Sequence, residues 1–287
     1  MSSQVHSVSS PSLWLPADWR RLRPLVFPRE HGVWGMLLVP LLTGGILGLR
    51  SGRGTGNLGL LLVASLALFC LRTPLEALLG GCPFRVRTSG ERRAVLVAVS
   101  AYAALAAICL AVLLARVNPV VLLSLGAAAA AGVAGQYLVR QLRPRDRCQA
   151  QWIGSAGLTA AAAAACYVAA GRWTATALLI WPANWLFAAN QVHYVQLRIH
   201  AANAADRLQK LHRGLHFLFG EMVLASVLLA AAQVGALPWA ACLAYVPLLV
   251  RGAAWFAEKP GPLAIHRLGF SELAHACAFG VLLVVCW

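Results

Sequence analysis

The sequence predicts an all-α, polytopic membrane protein with about nine transmembrane helices. Of its 287 residues, 60% are hydrophobic and only 11% are charged. Several apolar runs reach the roughly 20 residues that a helix needs to cross about 30 Å of hydrocarbon at 1.5 Å per residue. A soluble domain of this length does not need so many runs of that kind. We therefore expect a single transmembrane helical domain over residues 28–287.

The apolar runs define nine expected spans. They cover residues 31–49, 57–79, 94–115, 118–139, 152–170, 173–197, 214–232, 237–256 and 268–287. Within them, Ala-rich stretches at 127–131 and 160–165, together with Gly132 and Gly135, supply small side chains. Small residues let membrane helices approach closely, so these stretches indicate helix packing rather than chemistry.

Positive charge is concentrated in every second gap between the spans. All but four of the 24 lysines and arginines lie on the side that holds the N-terminus; the exceptions are Arg50, Arg53, Arg116 and Arg172. The positive-inside rule then predicts a cytoplasmic N-terminus, an external C-terminus and a location in the cytoplasmic membrane. The formal charge of +15 lies beside apolar spans, which favours anionic lipids of the inner leaflet as partners over nucleic acid.

The first 27 residues are expected to lie outside the membrane core. Residues 1–12 are Ser-rich and are predicted to be a disordered tail rather than a signal peptide. Residues 13–27 mix tryptophans with three arginines, which is typical of a segment in the headgroup layer, although an unstructured basic tail has the same composition. Six of the eight cysteines fall inside spans and none forms a CxxC pair, so we expect neither disulfides nor a metal site.

Polar residues inside hydrocarbon are the candidates for function, because a central charge costs roughly 2.5–3.5 kcal/mol on the insertion scale. The first cluster, in residues 28–32, contains Glu30 and His31 at the start of the first span. Glu30 has an alternative explanation as a residue that faces the positive end of the helix dipole. The second cluster contains Arg72 and Glu76, which are four residues apart and are predicted to meet on one helix face. A structural ion pair explains them equally well.

The third cluster follows the end of the sixth span. A stripe of polar residues at intervals of three and four is predicted to run along one helix face into the cytoplasm, with Tyr194 and Arg198 beside it. A helix with a solvated face is the alternative for its last two members. The stripe comprises Asn190, His193, Gln196, His200, Asn203 and Arg207.

The fourth cluster contains Glu272 and His275 in the first turns of the last span. The two are three residues apart and therefore share a face. An acid–base pair, a hydrogen-bonded couple and a metal-ligand pair all fit this spacing, and ExxH alone does not indicate a metal.

The chain resembles the YwiC-like family of bacterial membrane proteins. The resemblance is carried by PREHGVWGMLLVPLLTG on the first span, LRTPLEALL on the second, VQLRIH after the sixth and GFSELAHACAFGVLL on the last. It covers most of residues 27–287 and implies a multi-pass topology but no reaction.

The topology also resembles that of the UbiA-type intramembrane prenyltransferases, which implies a helical ring in which the first and last spans are neighbours. Those enzymes carry aspartate-rich motifs after the second and sixth spans, where carboxylates hold the Mg²⁺ of an isoprenoid diphosphate. The corresponding stretches here contain only Glu76 and Asp206 as acidic residues. The metal–diphosphate mechanism is therefore not expected.

Three classes of function remain open. The first is a cavity, open to the inner leaflet, in which Arg72, Glu76, Asn190, His193, Gln196, Arg198 and His200 hold an anionic lipid or isoprenoid headgroup, with Glu30, His31, Glu272 and His275 as the proton-carrying catalytic residues. The second is a small-solute or proton-coupled transporter that uses the same groups. The third is a non-catalytic assembly or scaffold protein. The concentration of polar residues toward one side of the membrane favours the first class.

Reporter fusions test the predicted topology. Fusions after residues 90, 148 and 210 should report the cytoplasm, because the basic gaps between spans lie there. Fusions after residues 54, 116, 172 and 235, and at the C-terminus, should report the outer side. An external signal at residue 148 would contradict the nine-span topology.

Overall fold

The computed structural model describes residues 19–28, 31–52, 55–80, 85–143, 146–202, 204, 206–259, 261 and 263–287. The regular elements in these ranges are all helices. They are α1 (Trp19–Val26), α2 (His31–Ser51), α3 (Thr55–Leu78), α4 (Ser89–Leu114), α5 (Pro119–Leu142), α6 (Arg147–Ala170), α7 (Ala175–Ala201), α8 (Arg207–Gln233), a 3₁₀ helix (Trp239–Tyr245), α9 (Val246–Ala257) and α10 (Ile265–Cys286).

The described helices have the lengths and compositions of membrane spans. Eight segments are long and apolar enough to cross a bilayer: α2 to α6, α8, α10, and the 3₁₀ helix combined with α9. Helix α7 has 27 residues, which is long enough, but amide and histidine side chains along it lower its hydropathy. The predicted all-α, polytopic membrane fold is confirmed. Of the nine predicted spans, only the sixth, which corresponds to α7, falls outside the eight apolar segments.

Local sequence signals set the helix ends near the membrane edges. Asn118 accepts a hydrogen bond from the backbone N–H of Val120 at the start of α5, and Asp206 accepts one from Gln209 at the start of α8. Gly171 ends α6 in the left-handed conformation with φ of 71°. The predicted extension of the stripe to Arg207 was wrong: α7 ends at Ala201, and Arg207 opens the next helix because Asp206 caps it. Asn203 lies outside the described residues.

The chain divides into two compact units, of which the smaller comprises the described residues among 1–29 and 66–106. Its apolar core contains Leu25, Ala77 and Val95. The side chain of Glu91 accepts hydrogen bonds from the backbone N–H groups of Arg87 and Thr88, and Thr88 Oγ1 accepts one from Glu91, which is a capping-box arrangement at the start of α4. Residues 19–26 of the predicted headgroup-layer segment are helical, and residues 1–18 lie outside the described residues.

The larger unit comprises the described residues among 30–65 and 107–287. Helix α6 lies against α2, α5 and α7 and is buried along most of its length. Its contact with α2 depends on glycine: a Cβ added to Gly48 would lie 2.5 Å from the carbonyl oxygen of Cys166, and one added to Gly52 would lie 2.5 Å from Cα of Ala170. Gly48 and Gly52 are not among the predicted packing residues. Gly132 is one of them, and it packs against α6 as predicted, because a Cβ added to it would lie 2.6 Å from Cα of Gly157.

The first and last predicted spans are neighbours. A Cβ on Gly35 of α2 would lie 3.5 Å from Cβ of Ala276 on α10, and one on Gly280 would lie 3.1 Å from Val39. Helix α7 also contacts α2, because Thr43 of α2 is hydrogen-bonded to Asn184 of α7. The predicted contact between the first and last spans is confirmed.

A single methyl group tests the α2–α6 interface. Gly48→Ala should lower the free energy of unfolding by about 1–3 kcal/mol, because the new Cβ must displace the α6 backbone. The matched control is Gly59→Ala on α3, where an added Cβ meets nothing within 4 Å. That change should leave stability equal or raise it by up to about 1 kcal/mol through helix propensity. Thermal denaturation in detergent measures both; equal midpoints would contradict the close packing.

Candidate functional site

A buried polar network joins four helices of the larger unit. Arg251 of α9 donates from Nη1 to Glu272 Oε2 of α10 at 2.5 Å and from Nη2 to Asn190 Oδ1 of α7 at 3.2 Å. The amide nitrogen of Asn190 donates to Glu221 Oε1 of α8 at 2.6 Å. The side chains of Arg251 and Glu272 are only 7% and 4% exposed. Asn190 and Glu272 were predicted as functional residues, and the structure brings them together through Arg251.

Neighbouring groups offset part of the cost of burying these charges. Gln191 donates from Nε2 to the backbone carbonyl of Glu272 at 2.9 Å, which fixes α7 against α10. The guanidinium carbon of Arg251 lies 4.0 Å from the centre of the Tyr194 ring, a cation–π distance. Buried ion pairs stabilise a protein only when the remaining donors and acceptors also have partners. Arg251 Nε and Glu272 Oε1 have no hydrogen-bond partner among the described residues, so this compensation is incomplete.

A basic cleft lies at the end of α7 that the charge pattern predicts to be cytoplasmic. Its volume is about 160 Å³. Three cations and one carboxylate line it, so its formal charge is positive. The lining residues are Arg198, Ala201, Ala202, Lys210, Trp255, Glu258, Lys259, Gly261 and Leu263.

The three cations of the basic cleft differ in their partners and in their exposure. Lys210 is 3% exposed, and its Nζ donates to the carbonyl oxygens of Trp255 and Glu258, both at 2.5 Å. It thereby satisfies carbonyls at the C-terminal end of α9. Arg198 is 26% exposed and lies 3.5 Å from the Glu258 carboxylate, while Lys259 is exposed. Arg198 and Lys259 are thus the cations that remain accessible to a ligand.

Tyr194 connects the basic cleft with the buried network. Its hydroxyl accepts a hydrogen bond from Arg198 Nη1 at 3.3 Å, and its ring faces the guanidinium of Arg251. It also packs against Phe217 and Trp255 in an apolar cluster. Tyr194 is therefore in contact with both Arg198 and Arg251, and a displacement of Arg198 would reach Arg251 through this one side chain.

The remaining members of the stripe contact different helices. His193 lies between the rings of Trp152 and Phe217, with centroid distances of 5.6 and 5.1 Å. Gln196 donates to Gln151 Oε1 at 2.8 Å, and Nδ1 of His200 lies 2.7 Å from the carbonyl oxygen of Gln196. These three side chains serve helix packing and local hydrogen bonding, whereas Arg198, beside the stripe, lines the cleft.

The other predicted residues have separate surroundings. Arg72 and Glu76 meet as predicted, with Nε and Oε1 2.7 Å apart, within the smaller unit. Nδ1 of His275 lies 2.7 Å from the carbonyl oxygen of Ser271, while Glu272 binds Arg251, so each member of the ExxH motif has its own partner. Glu30 and the side chain of His31 lie outside the described residues.

Sequence reasoning missed Arg251, Lys210 and the role of Glu221. Arg251 lies inside the predicted eighth span, 237–256, and the charge pattern assigns it to the cytoplasmic side; in the structure it is buried within α9. The available signal was the cost of charge in an apolar run: an arginine inside VPLLVRGAAWFA requires an acidic partner on another helix. The structure contains no group of three His, Cys, Asp or Glu that could hold a metal ion, as far as its described residues extend.

Comparison with known proteins agrees with one part of the predicted resemblance. Residues 27–167 match the family model of the YwiC-like protein family. Neither a curated protein nor a solved structure matches the chain significantly. The matched region includes the PREHG opening and the LRTPLEALL segment, whereas VQLRIH and the last span lie beyond it. Residues 27–167 of this multi-pass membrane protein therefore form a YwiC-like region.

Proposed function

We propose that this chain binds the phosphate-bearing headgroup of an anionic lipid or isoprenoid in the basic cleft. One observation carries the proposal: three cations converge on a cleft of about 160 Å³ that contains a single carboxylate. In this proposal the protein lies in the cytoplasmic membrane with its N-terminus in the cytoplasm, as the distribution of cations predicts.

The charges of the basic cleft suit an oxyanion better than a neutral or cationic ligand. Lys210 is committed to the carbonyls of α9, and Glu258 neutralises only one further charge. Arg198 presents a planar guanidinium that can bind two oxygens of one phosphate, and Lys259 adds a mobile ammonium. A phosphate group would therefore bind Arg198 through charge-assisted hydrogen bonds, in competition with Glu258.

The position of the cleft favours a ligand that is anchored in the membrane. Helix α7 ends at Ala201 and α8 begins at Arg207, so the cleft lies where these two helices meet the predicted cytoplasmic surface. Anionic lipids are concentrated in that leaflet, and basic pockets between transmembrane helices bind their headgroups. An acyl or isoprenyl chain could then run along the apolar surface of the bundle.

The proposed activity is binding. Arg72, Glu76, Asn190, His193, Gln196 and His200 stay predictions as further ligand-binding residues, and Glu30, His31, Glu272 and His275 stay predictions as proton carriers in a reaction on the bound headgroup. The contacts of Glu272 with Arg251 and Gln191 support a structural role for its carboxylate and backbone.

Mass spectrometry of lipids that co-purify with the protein tests the proposal. Wild-type protein should retain a phosphate-bearing lipid, and its mass distinguishes a phospholipid from an isoprenoid phosphate. The double variant Arg198→Ala, Lys259→Ala should retain several-fold less, because both accessible cations are lost. Lys210 is left unchanged because it holds the end of α9.

The control for charge is Arg172→Ala, which removes an exposed arginine on the predicted outer side. It should retain wild-type amounts of the lipid. Arg198→Lys should recover only part of the binding if two phosphate oxygens are recognised together. Equal lipid retention by the wild type and the double variant, at matched thermal stability, would contradict the proposal.

A further inference from the structure

The buried network contains more carboxylate than cation. Arg251 is the guanidinium that lies within it, and Glu221 and Glu272 are its two carboxylates. Glu272 forms an ion pair with Arg251, whereas no Lys, Arg or His nitrogen of the described residues lies within 4.0 Å of a Glu221 carboxylate oxygen. Glu221 is 8% exposed. Its charge is therefore not neutralised by a direct contact with the described part of the chain.

The hydrogen bonding of Glu221 is also incomplete. Its Oε1 accepts one hydrogen bond from Asn190, at 2.6 Å. Its Oε2 is buried and has no hydrogen-bond partner among the described residues. The orientation of Asn190 is fixed by its other end, because Oδ1 accepts a hydrogen bond from Arg251. Asn190 therefore links Arg251 to Glu221 through two hydrogen bonds, but being neutral it does not compensate the charge of the Glu221 carboxylate.

The groups packed around Glu221 do not replace the hydration that an ionised carboxylate has in water. Gly252 of α9 lies against the carboxyl group: an added Cβ would come within 3.1 Å of Glu221 Cδ and Oε1, and equally close to the Phe217 ring. The carboxyl group and the Phe217 ring therefore both lie against Gly252. An ionised carboxylate loses several kcal/mol of hydration in such a place unless a cation compensates it.

Other titratable groups near α8 have partners elsewhere. His193 of α7 lies beside Gly220, where an added Cβ would come 2.9 Å from its Nδ1, and its ring contacts two aromatic rings. Tyr245, from the 3₁₀ helix, donates its hydroxyl to the carbonyl oxygen of Ala183, and Cys242 points its thiol to the carbonyl oxygen of Leu228. Lys210 binds the carbonyls at the end of α9.

We infer that Glu221 is a proton-binding site within the membrane: its carboxyl group carries a proton at neutral pH, while Glu272 keeps its contact with Arg251. Binding of one proton from water at Oε2 converts the carboxylate to a neutral acid. The network then holds one positive and one negative charge. The ligand is a proton, and the proton site shares no residue with the basic cleft.

Infrared spectroscopy of the full-length protein, in a detergent without ester groups, tests this inference. Wild-type protein at neutral pH should show the carbonyl stretch of a protonated carboxylic acid in a non-polar environment. Glu221→Gln should abolish this band, because it removes the protonated group. Glu76→Gln is the control: it removes a half-exposed carboxylate outside the buried network and should leave the band in place.

Isotope labelling keeps the inference testable if a variant fails to fold. Wild-type protein that contains ¹³C-labelled glutamate should show the same band at lower frequency, which assigns it to glutamic acid. The absence of a shifted band in the labelled wild type, or persistence of the band in Glu221→Gln, would overturn the inference.

Discussion

The ion pair between Arg251 and Glu272 is the contact on which the arrangement of helices α7 to α10 depends. It joins α9 to α10 directly, and through Asn190 it reaches α7 and Glu221 of α8. In hydrocarbon, a charged side chain without its partner costs far more than it does at a water-exposed surface. The pair therefore acts as a constraint on register: helices α7 to α10 can adopt only arrangements in which these polar atoms meet.

Close packing of α2 against α6 is the second constraint on the larger unit. Helices α2 and α6 approach so closely that glycine is required at Gly48 and Gly52, and α2 packs in turn against α10. Apolar side chains gain little by moving from lipid to a helix interface, so van der Waals contact between small residues has to hold these helices together. Helix α2 of the glycine interface also contacts α7 and α10, which carry members of the polar network.

Features that depend on local sequence were predictable from the residues, whereas the one long-range contact that was predicted, between the first and last spans, followed from the UbiA resemblance. The helix limits followed from apolar run length, and the Arg72–Glu76 pair followed from a spacing of four residues on one helix. The polar stripe does not reach Arg207 because Asp206 caps the next helix, and this local capping signal outweighs the spacing of three and four residues. The partner of Arg251 lies 21 residues away on another helix. Arg251 and Glu272 meet only because α9 packs against α10, and one sequence does not reveal how these two helices are aligned.

A double-mutant cycle on Arg251 and Glu272 tests the central claim most directly. The single changes Arg251→Met and Glu272→Leu and their combination would be compared by thermal denaturation in detergent. If the pair holds α7 to α10 together, each single change leaves a buried charge unpaired and costs about 3–5 kcal/mol. The double variant should then lose much less stability than the sum of the single losses, because no charge is left without its partner. Additive losses would show that the two side chains act independently and would contradict this account.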